Sequence, residues 1–310
     1  MKNKWYFFTF LGVVLFVLLC YFIITKSGSN TETSGTNKKI HVVTSFYPLY
    51  FFASLIGGDK VDVTNITPAG AEPHDYEPTA QDIARIEKSQ LLILNGGKLE
   101  AWGDKIKDEM KGKQVAIITA GNAIANQHVE EDGETIRDPH VWLSPPLAKK
   151  EIEVILQGFI EIDTKNKEYY QSNADQLLAK LDDLDKKYKE GLHSCKLKDI
   201  ITSHAAFGYI ATTYHLHQLP ISGLSPDEEP SSKQLADVSQ FAKAHNVKYI
   251  FFESLVSPKL SETIATEVGA KTLVLDPIEG VSDEAAKQGK NYLTIMQDNL
   301  TNLRIALSCQ

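Results

Sequence analysis

With 310 residues, 43% of them apolar and 23% charged, the chain has an ordinary globular composition and length for about two domains. A formal net charge of −8 argues against a nucleic-acid partner. The imbalance deepens past residue 39, where 27 basic residues face 39 acidic ones, a net of −12 that attracts cations mildly.

Residues 5–25 are almost unbroken apolar sequence behind Lys2 and Lys4. At about 1.5 Å per residue they reach about 30 Å, enough to cross a bilayer and longer than the apolar core of a secretory signal. Residues 1–26 are therefore expected to be a membrane anchor or signal segment, with an uncleaved anchor preferred. The leading lysines keep the N-terminus cytoplasmic and place the rest of the chain outside. Acylation at Cys20 is the rival reading, but the bulky Leu19 before it matches such sites poorly. Residues 27–38, polar and rich in Ser, Thr, Gly and Asn, read as a flexible tether.

Strand and helix patterns then alternate. Strands are expected at 40–45, 61–67, 91–95 and 114–119, and helices at 48–56, 80–88 and 99–110. That order implies a parallel sheet covered by helices on both faces. Pro145 and Pro146 open a helix to about residue 160. Residues 165–192 carry Tyr169, Leu177, Leu178, Leu181, Leu184 and Tyr188 at helical spacing. Such a helix extends about 40 Å, either as one arm of a hairpin or as a spine along two lobes. A second series comes next, with strands at 199–203, 218–222, 248–253 and 272–276, helices at 205–214, 232–245 and 259–268, and a closing helix over 287–307. The expected organisation is an N-terminal α/β lobe over 39–163, a linking helix over 164–192 and a C-terminal α/β lobe over 193–310. Facing lobes leave a crevice at the carboxyl ends of their strands, where open sheets bind ligands.

Four strand-end motifs point into that crevice: Glu72 to Pro78 around His74, Asp138 to Trp142 around His140, Thr202 to Phe207 around His204, and Leu275-Asp276-Pro277. Three imidazoles and one carboxylate suit a divalent transition metal, above all zinc. Taken alone, each histidine is more often a surface residue and Asp276 more often a cap or turn residue; the set is what carries weight. Glutamate in place of His204 would instead favour manganese. Glu253, ending an apolar strand, is expected to orient a histidine from behind. His128, in the acidic stretch 126–137, is a candidate for loose metal recruitment, though a solvated loop is the plainer reading. His215 and His217, two apart, alternate as in a strand and could chelate weakly, with surface placement the plainer reading; His41, His193 and His245 lack ligand-like company. Cys195 and Cys309, the only cysteines beyond the apolar segment, invite a disulfide in an exported domain.

These motifs resemble the metal-binding solute-binding proteins of bacterial ABC importers, the zinc and manganese group called cluster A-I. The resemblance runs from Val42 onward through Val43 to Pro48, Pro73 to Pro78, Asp138 to Pro145, Ser203 to Tyr209 and, most specifically, Gly223 to Leu235. It implies two pseudo-symmetric lobes joined by one long helix, little hinge motion, and a metal held between the lobes. It matches His74, His140, His204 and Asp276 to the four ligand positions, and a histidine in the third place resembles the zinc branch. The long His-rich acidic loop of many zinc members is here shortened to one histidine.

The function expected is extracytoplasmic capture of one zinc ion per chain and delivery to an ABC-type membrane permease. The protein would be a monomer tethered to the membrane and would perform no chemistry on a substrate. Four protein ligands close the metal, whereas a catalytic zinc keeps a position for water. A manganese receptor, a zinc-dependent hydrolase with Glu253 as base, and a metal-independent surface adhesin are the rivals.

Overall fold

In the computed structural model, residues 39–131 and 134–310 are described. Four parallel strands, β1 (Ile40–Thr44), β2 (Val61–Asn65), β3 (Leu91–Leu94) and β4 (Ala116–Thr119), form a first sheet in the order β2-β1-β3-β4. A second parallel sheet holds β7 (Asp199–Thr202), β8 (His217–Pro220), β9 (Tyr249–Phe252) and β10 (Lys271–Val274) in the order β10-β9-β7-β8. Between them in sequence, β5 (His128–Glu131) and β6 (Glu134–Arg137) pair as an antiparallel hairpin. Every residue of β3 is buried, as a central strand covered on both faces requires.

The helices are α1 (Tyr47–Gly57), α2 (Ala80–Lys88), α3 (Gly103–Glu109), α4 (Pro145–Ile162), α5 (Lys167–Leu192), α6 (Gly208–Tyr214), α7 (Ser232–Ala244), α8 (Lys259–Val268), α9 (Asp283–Lys287) and α10 (Tyr292–Ala306). Local chemistry starts several of them. Thr79 with Asp82, Ser231 with Gln234, and Asn291 with Thr294 form reciprocal caps that satisfy the first free N–H groups of α2, α7 and α10.

The 26 residues of α5 extend about 39 Å. The helix packs on α1 and α4 at one end and on α6 and α10 at the other, so it is a spine for both halves. Its buried stripe, Tyr170, Ala174, Leu177, Leu181, Leu184, Tyr188 and Leu192, keeps helical spacing and joins one apolar core that reaches both sheets. Separate clusters cover the outer face of each sheet, around Leu92 and Trp102 and around Ile201 and Ile250. The expected two-lobed α/β architecture is thus the one observed.

Three details differ from the expected elements. The acidic stretch 126–137 contains the β5–β6 hairpin, in which Val129 faces Ile136 across the ladder. The helix expected over 205–214 begins as a tight 3₁₀ turn, Ala205–Phe207, before α6. The closing helix is broken between α9 and α10, where Gly289 takes a positive φ of 84°. Near the tail, Cys195 and Cys309 form an isolated antiparallel bridge and are disulfide-bonded. Among the described residues no helix is long and apolar enough to cross a membrane. The expected anchor over 1–26 and tether over 27–38 lie outside them.

Candidate metal centre

Each sheet has a switch point, where chain connections leave in opposite directions and strand ends part: between β1 and β3, and between β7 and β9. His204 lies just past β7 and Glu253 just past β9, so the second switch point carries both. At the first, the Asn95 amide, just past β3, donates to the Pro139 carbonyl at 3.0 Å and fixes the loop bearing His140. His74 comes from the turn-rich segment between β2 and α2. Buried hydrogen bonds then tie the halves together. Trp142 Nε1 donates to the Pro277 carbonyl at 2.7 Å, and the Tyr209 hydroxyl donates to the Asp138 carbonyl at 3.0 Å.

The result is a cluster of His74, His140, His204 and Glu279, whose donor atoms all lie within 4.8 Å of one another. Glu279 Oε1 stands 3.4 Å from His74 Nε2, 3.2 Å from His140 Nε2 and 3.4 Å from His204 Nε2. The Nε2 atoms of His140 and His204 are 3.3 Å apart. Zinc bonds of about 2.0–2.1 Å in a tetrahedron set its ligand atoms about 3.3–3.4 Å apart, close to these four of the six donor separations. His140 and His204 are wholly buried and Glu279 nearly so, whereas the His74 side chain keeps 8% exposure. His74 borders a small cavity of about 220 Å³, shared with Asp75, Lys98, Leu224 and Glu228, that forms the mouth of the site.

The outer nitrogens define the tautomers. His140 Nδ1 lies 2.8 Å from Asp138 Oδ1, which also accepts from the His140 backbone N–H at 2.9 Å. His204 Nδ1 lies 2.7 Å from Glu253 Oε1. A carboxylate oxygen accepts, so both Nδ1 atoms carry hydrogen, and Nε2 of each ring is the atom that faces the centre and offers its lone pair once its proton has left.

Burial disfavours the charged form of His204, but the Glu253 and Glu279 carboxylates outweigh it and hold the imidazole well above its usual range. His140 is likewise raised against burial, by Asp138 and Glu279. His74 is lowered, mainly by burial. Glu279 resists burial through the three imidazoles and stays well below the usual carboxylate range. Burial, and then the charge of Glu279, push the neighbouring Glu72 carboxyl up to about 9, so it is neutral at pH 7. Without a cation the cluster is therefore an anionic carboxylate balanced by imidazolium. A bound cation takes over the role of that proton.

Asp276, expected as the fourth ligand, is not in the cluster. Its Oδ1 accepts from the Ile278 N–H at 2.7 Å and its Oδ2 accepts from the Ser254 hydroxyl. Burial is the main reason its carboxyl rises to about 6. The reason for the exchange is the turn after β10. Ile278 sits at φ 59°, a left-handed conformation that strains a β-branched residue, and the chain reversal aims position 279 at the imidazoles. An acidic residue three positions beyond Asp276 was the available signal. Glu253 stands behind His204, and Asp138 plays the same part behind His140, a role that the Asp138-Pro139-His140 motif held unread. His128 is exposed on β5 opposite Arg137 and outside the cluster. His217 and His245 both contact Asp199 at the far ends of the strands, at 3.3 and 2.9 Å.

Fold and site together define a two-lobed α/β binding protein, spanned by one helix, with a four-donor cation site closed between its lobes. Residues 42–306 match the family described as ZnuA, zinc-uptake complex component A, periplasmic, and the chain belongs to that family. It is 42% identical over 308 residues to the high-affinity zinc uptake system protein ZnuA of Bacillus subtilis (strain 168), covering 94% of this chain and 97% of that one. It is 37% identical over 302 residues to the zinc-binding lipoprotein AdcA of Streptococcus pneumoniae (strain ATCC BAA-255 / R6), covering 94% of this chain but only 60% of AdcA's length. The crystal structure of the Zn(II)-bound ZnuA-like domain of Streptococcus pneumoniae AdcA superposes with a TM-score of 0.76 at 39% identity, over 87% of this chain and 99% of that one.

Proposed function

We propose that this protein captures zinc outside the cytoplasm and delivers it to the membrane permease of an ABC-type importer. The observation that carries this reading is the convergence of three imidazole nitrogens on one carboxylate oxygen at 3.2–3.4 Å, with all four donors within 4.8 Å of one another. Three nitrogen donors favour zinc over manganese, which takes oxygen-rich sites. His74, His140, His204 and Glu279 are the four ligands in this reading, with Asp138 and Glu253 fixing two of the rings. Four protein donors leave no position for an attacking water, which separates a carrier from a zinc hydrolase. The family description, a periplasmic component of a zinc-uptake complex, supports a permease as the partner.

Residues 1–26 tether the protein to the membrane in this reading, as an uncleaved anchor. The lipoprotein name of AdcA supports the other attachment, acylation at Cys20. Mass spectrometry of detergent-extracted protein separates an intact N-terminus from a lipidated Cys20. For the site itself, metal-stripped protein is titrated with zinc and manganese against a chromophoric chelator. One tightly held zinc per chain is expected. A protein that binds neither ion, or that prefers manganese, refutes the assignment.

A further inference from the structure

We infer that Asp276 is a positioning residue, a latch that holds the turn from Pro277 to Glu279 so that the Glu279 carboxylate meets the three imidazoles. This rests on the zinc-capture reading and deepens it.

The Ile278 side chain is anchored in the apolar core, but the backbone of the turn is open on one side. On its back lies a cavity of about 470 Å³, bordered by Ser254, Asp276, Gly280, Ser282 and Asn299. A strained residue beside empty space relaxes into that space unless directional contacts prevent it. Ile278, at φ 59°, lies between Asp276 and Gly280, both of which border the cavity, while its own side chain packs into the core. The directional contacts converge on position 276. Its Oδ1 accepts from the Ile278 N–H at 2.7 Å, closing the turn from within. Its Oδ2 accepts from the Ser254 hydroxyl, tying the turn to the end of β9. The Asn299 side chain on α10 grips the backbone of Asp276 on both sides, accepting from its N–H at 2.9 Å and donating to its carbonyl at 2.7 Å. Trp142 Nε1 holds the Pro277 carbonyl from the other lobe. Both Asp276 oxygens are thus engaged away from the metal cluster, and Glu279 faces the imidazoles as a result. Asparagine at 276 keeps an oxygen for the Ile278 N–H; alanine keeps nothing.

The test measures zinc affinity by chelator competition for the parent, Asp276→Ala, Asp276→Asn, Ser254→Ala and Glu279→Gln, and records the visible absorption of each cobalt(II)-loaded protein. Asp276→Ala is expected to weaken zinc by about 10–100-fold, the usual cost of losing a group that orients a ligand. Asp276→Asn should recover to within about fivefold of the parent, with Ser254→Ala falling between the two. The cobalt band of Asp276→Ala should keep the parent's position and intensity, because the liganding atoms are the same, while Glu279→Gln shifts it. An Asp276→Asn variant as weak as Asp276→Ala, with a displaced cobalt band, makes Asp276 a ligand and overturns the inference. An Asp276→Ala variant within twofold of the parent also overturns it. If Asp276→Ala does not fold, Asp276→Asn and Ser254→Ala decide by the same two readouts. A parent that takes up no zinc sinks the capture reading itself, whereas indifferent variants of a zinc-binding parent sink only the latch.

Discussion

Glu253→Gln isolates what the carboxylate behind His204 contributes, because glutamine preserves its shape and can still accept from Nδ1. The carboxylate oxygen lies 2.7 Å from Nδ1. Crossing the ring and one zinc–nitrogen bond of about 2.0–2.1 Å places that charge about 7 Å from the metal. Zinc with the Glu279 carboxylate carries one net positive charge. At an effective dielectric constant of about 20, unit charges about 7 Å apart attract by about 2.4 kcal/mol, about 50-fold in affinity. A second effect opposes this loss. Glu253 and Glu279 hold His204 protonated well above the usual histidine range, so at neutral pH zinc must expel that proton before it binds. Removing the Glu253 charge lowers the imidazole pKa and eases the expulsion. Affinity in the parent therefore rises with pH until it passes the raised His204 value. The variant's deficit should be small near pH 7 and approach about 50-fold at alkaline pH. Chelator competition between pH 6 and 9 measures the first quantity. Calorimetric titration in buffers of differing ionisation enthalpy counts protons released per zinc, and the count at pH 7 should drop in the variant. A variant with parental affinity at pH 9 and parental proton release would refute the argument.

Three further outcomes are expected. His204→Glu replaces a nitrogen donor by oxygen and should weaken zinc while shifting preference towards manganese; unchanged zinc affinity in competition titration rules that out. A Cβ at Gly208 would lie 2.9 Å from Asp138 Oδ2, in a carboxylate already pinned to His140, so Gly208→Ala should cost about 1–3 kcal/mol in urea unfolding and weaken zinc measurably. A variant that unfolds and binds like the parent means the contact relaxes freely. The Cys195–Cys309 disulfide spans 114 residues, so replacing both cysteines by serine should lower stability by about 5 kcal/mol in the chain-entropy description. A loss below about 1 kcal/mol assigns the bond no such part.

The alternation of apolar strands with amphipathic helices was legible because burial imposes its period locally: β3 reads as four apolar residues, and α5 repeats its stripe every three or four positions. The three histidines were legible for a related reason. Each sits at a Pro- or Ser-bearing junction between elements, where the chain must turn and a side chain is free to face a crevice. The β5–β6 hairpin was hidden because its acidic residues outweigh the single apolar pair, Val129 and Ile136, that marks its alternation. The break before α10 turned on one glycine, Gly289.

The choice between Asp276 and Glu279 belongs to the tertiary structure alone. Both are carboxylates at the end of the same strand, and residue type separates neither from a metal. What separates them is a left-handed Ile278, a grip by Asn299 from α10 and a contact from Trp142 in the opposite lobe; both of those partners are distant in sequence. The lobes and the imidazoles can be read along the chain, because periodicity and turn chemistry act over a few residues. Which oxygen completes the cluster was decided by hydrogen bonds between distant segments, which exist only once the two halves have packed along their shared helix.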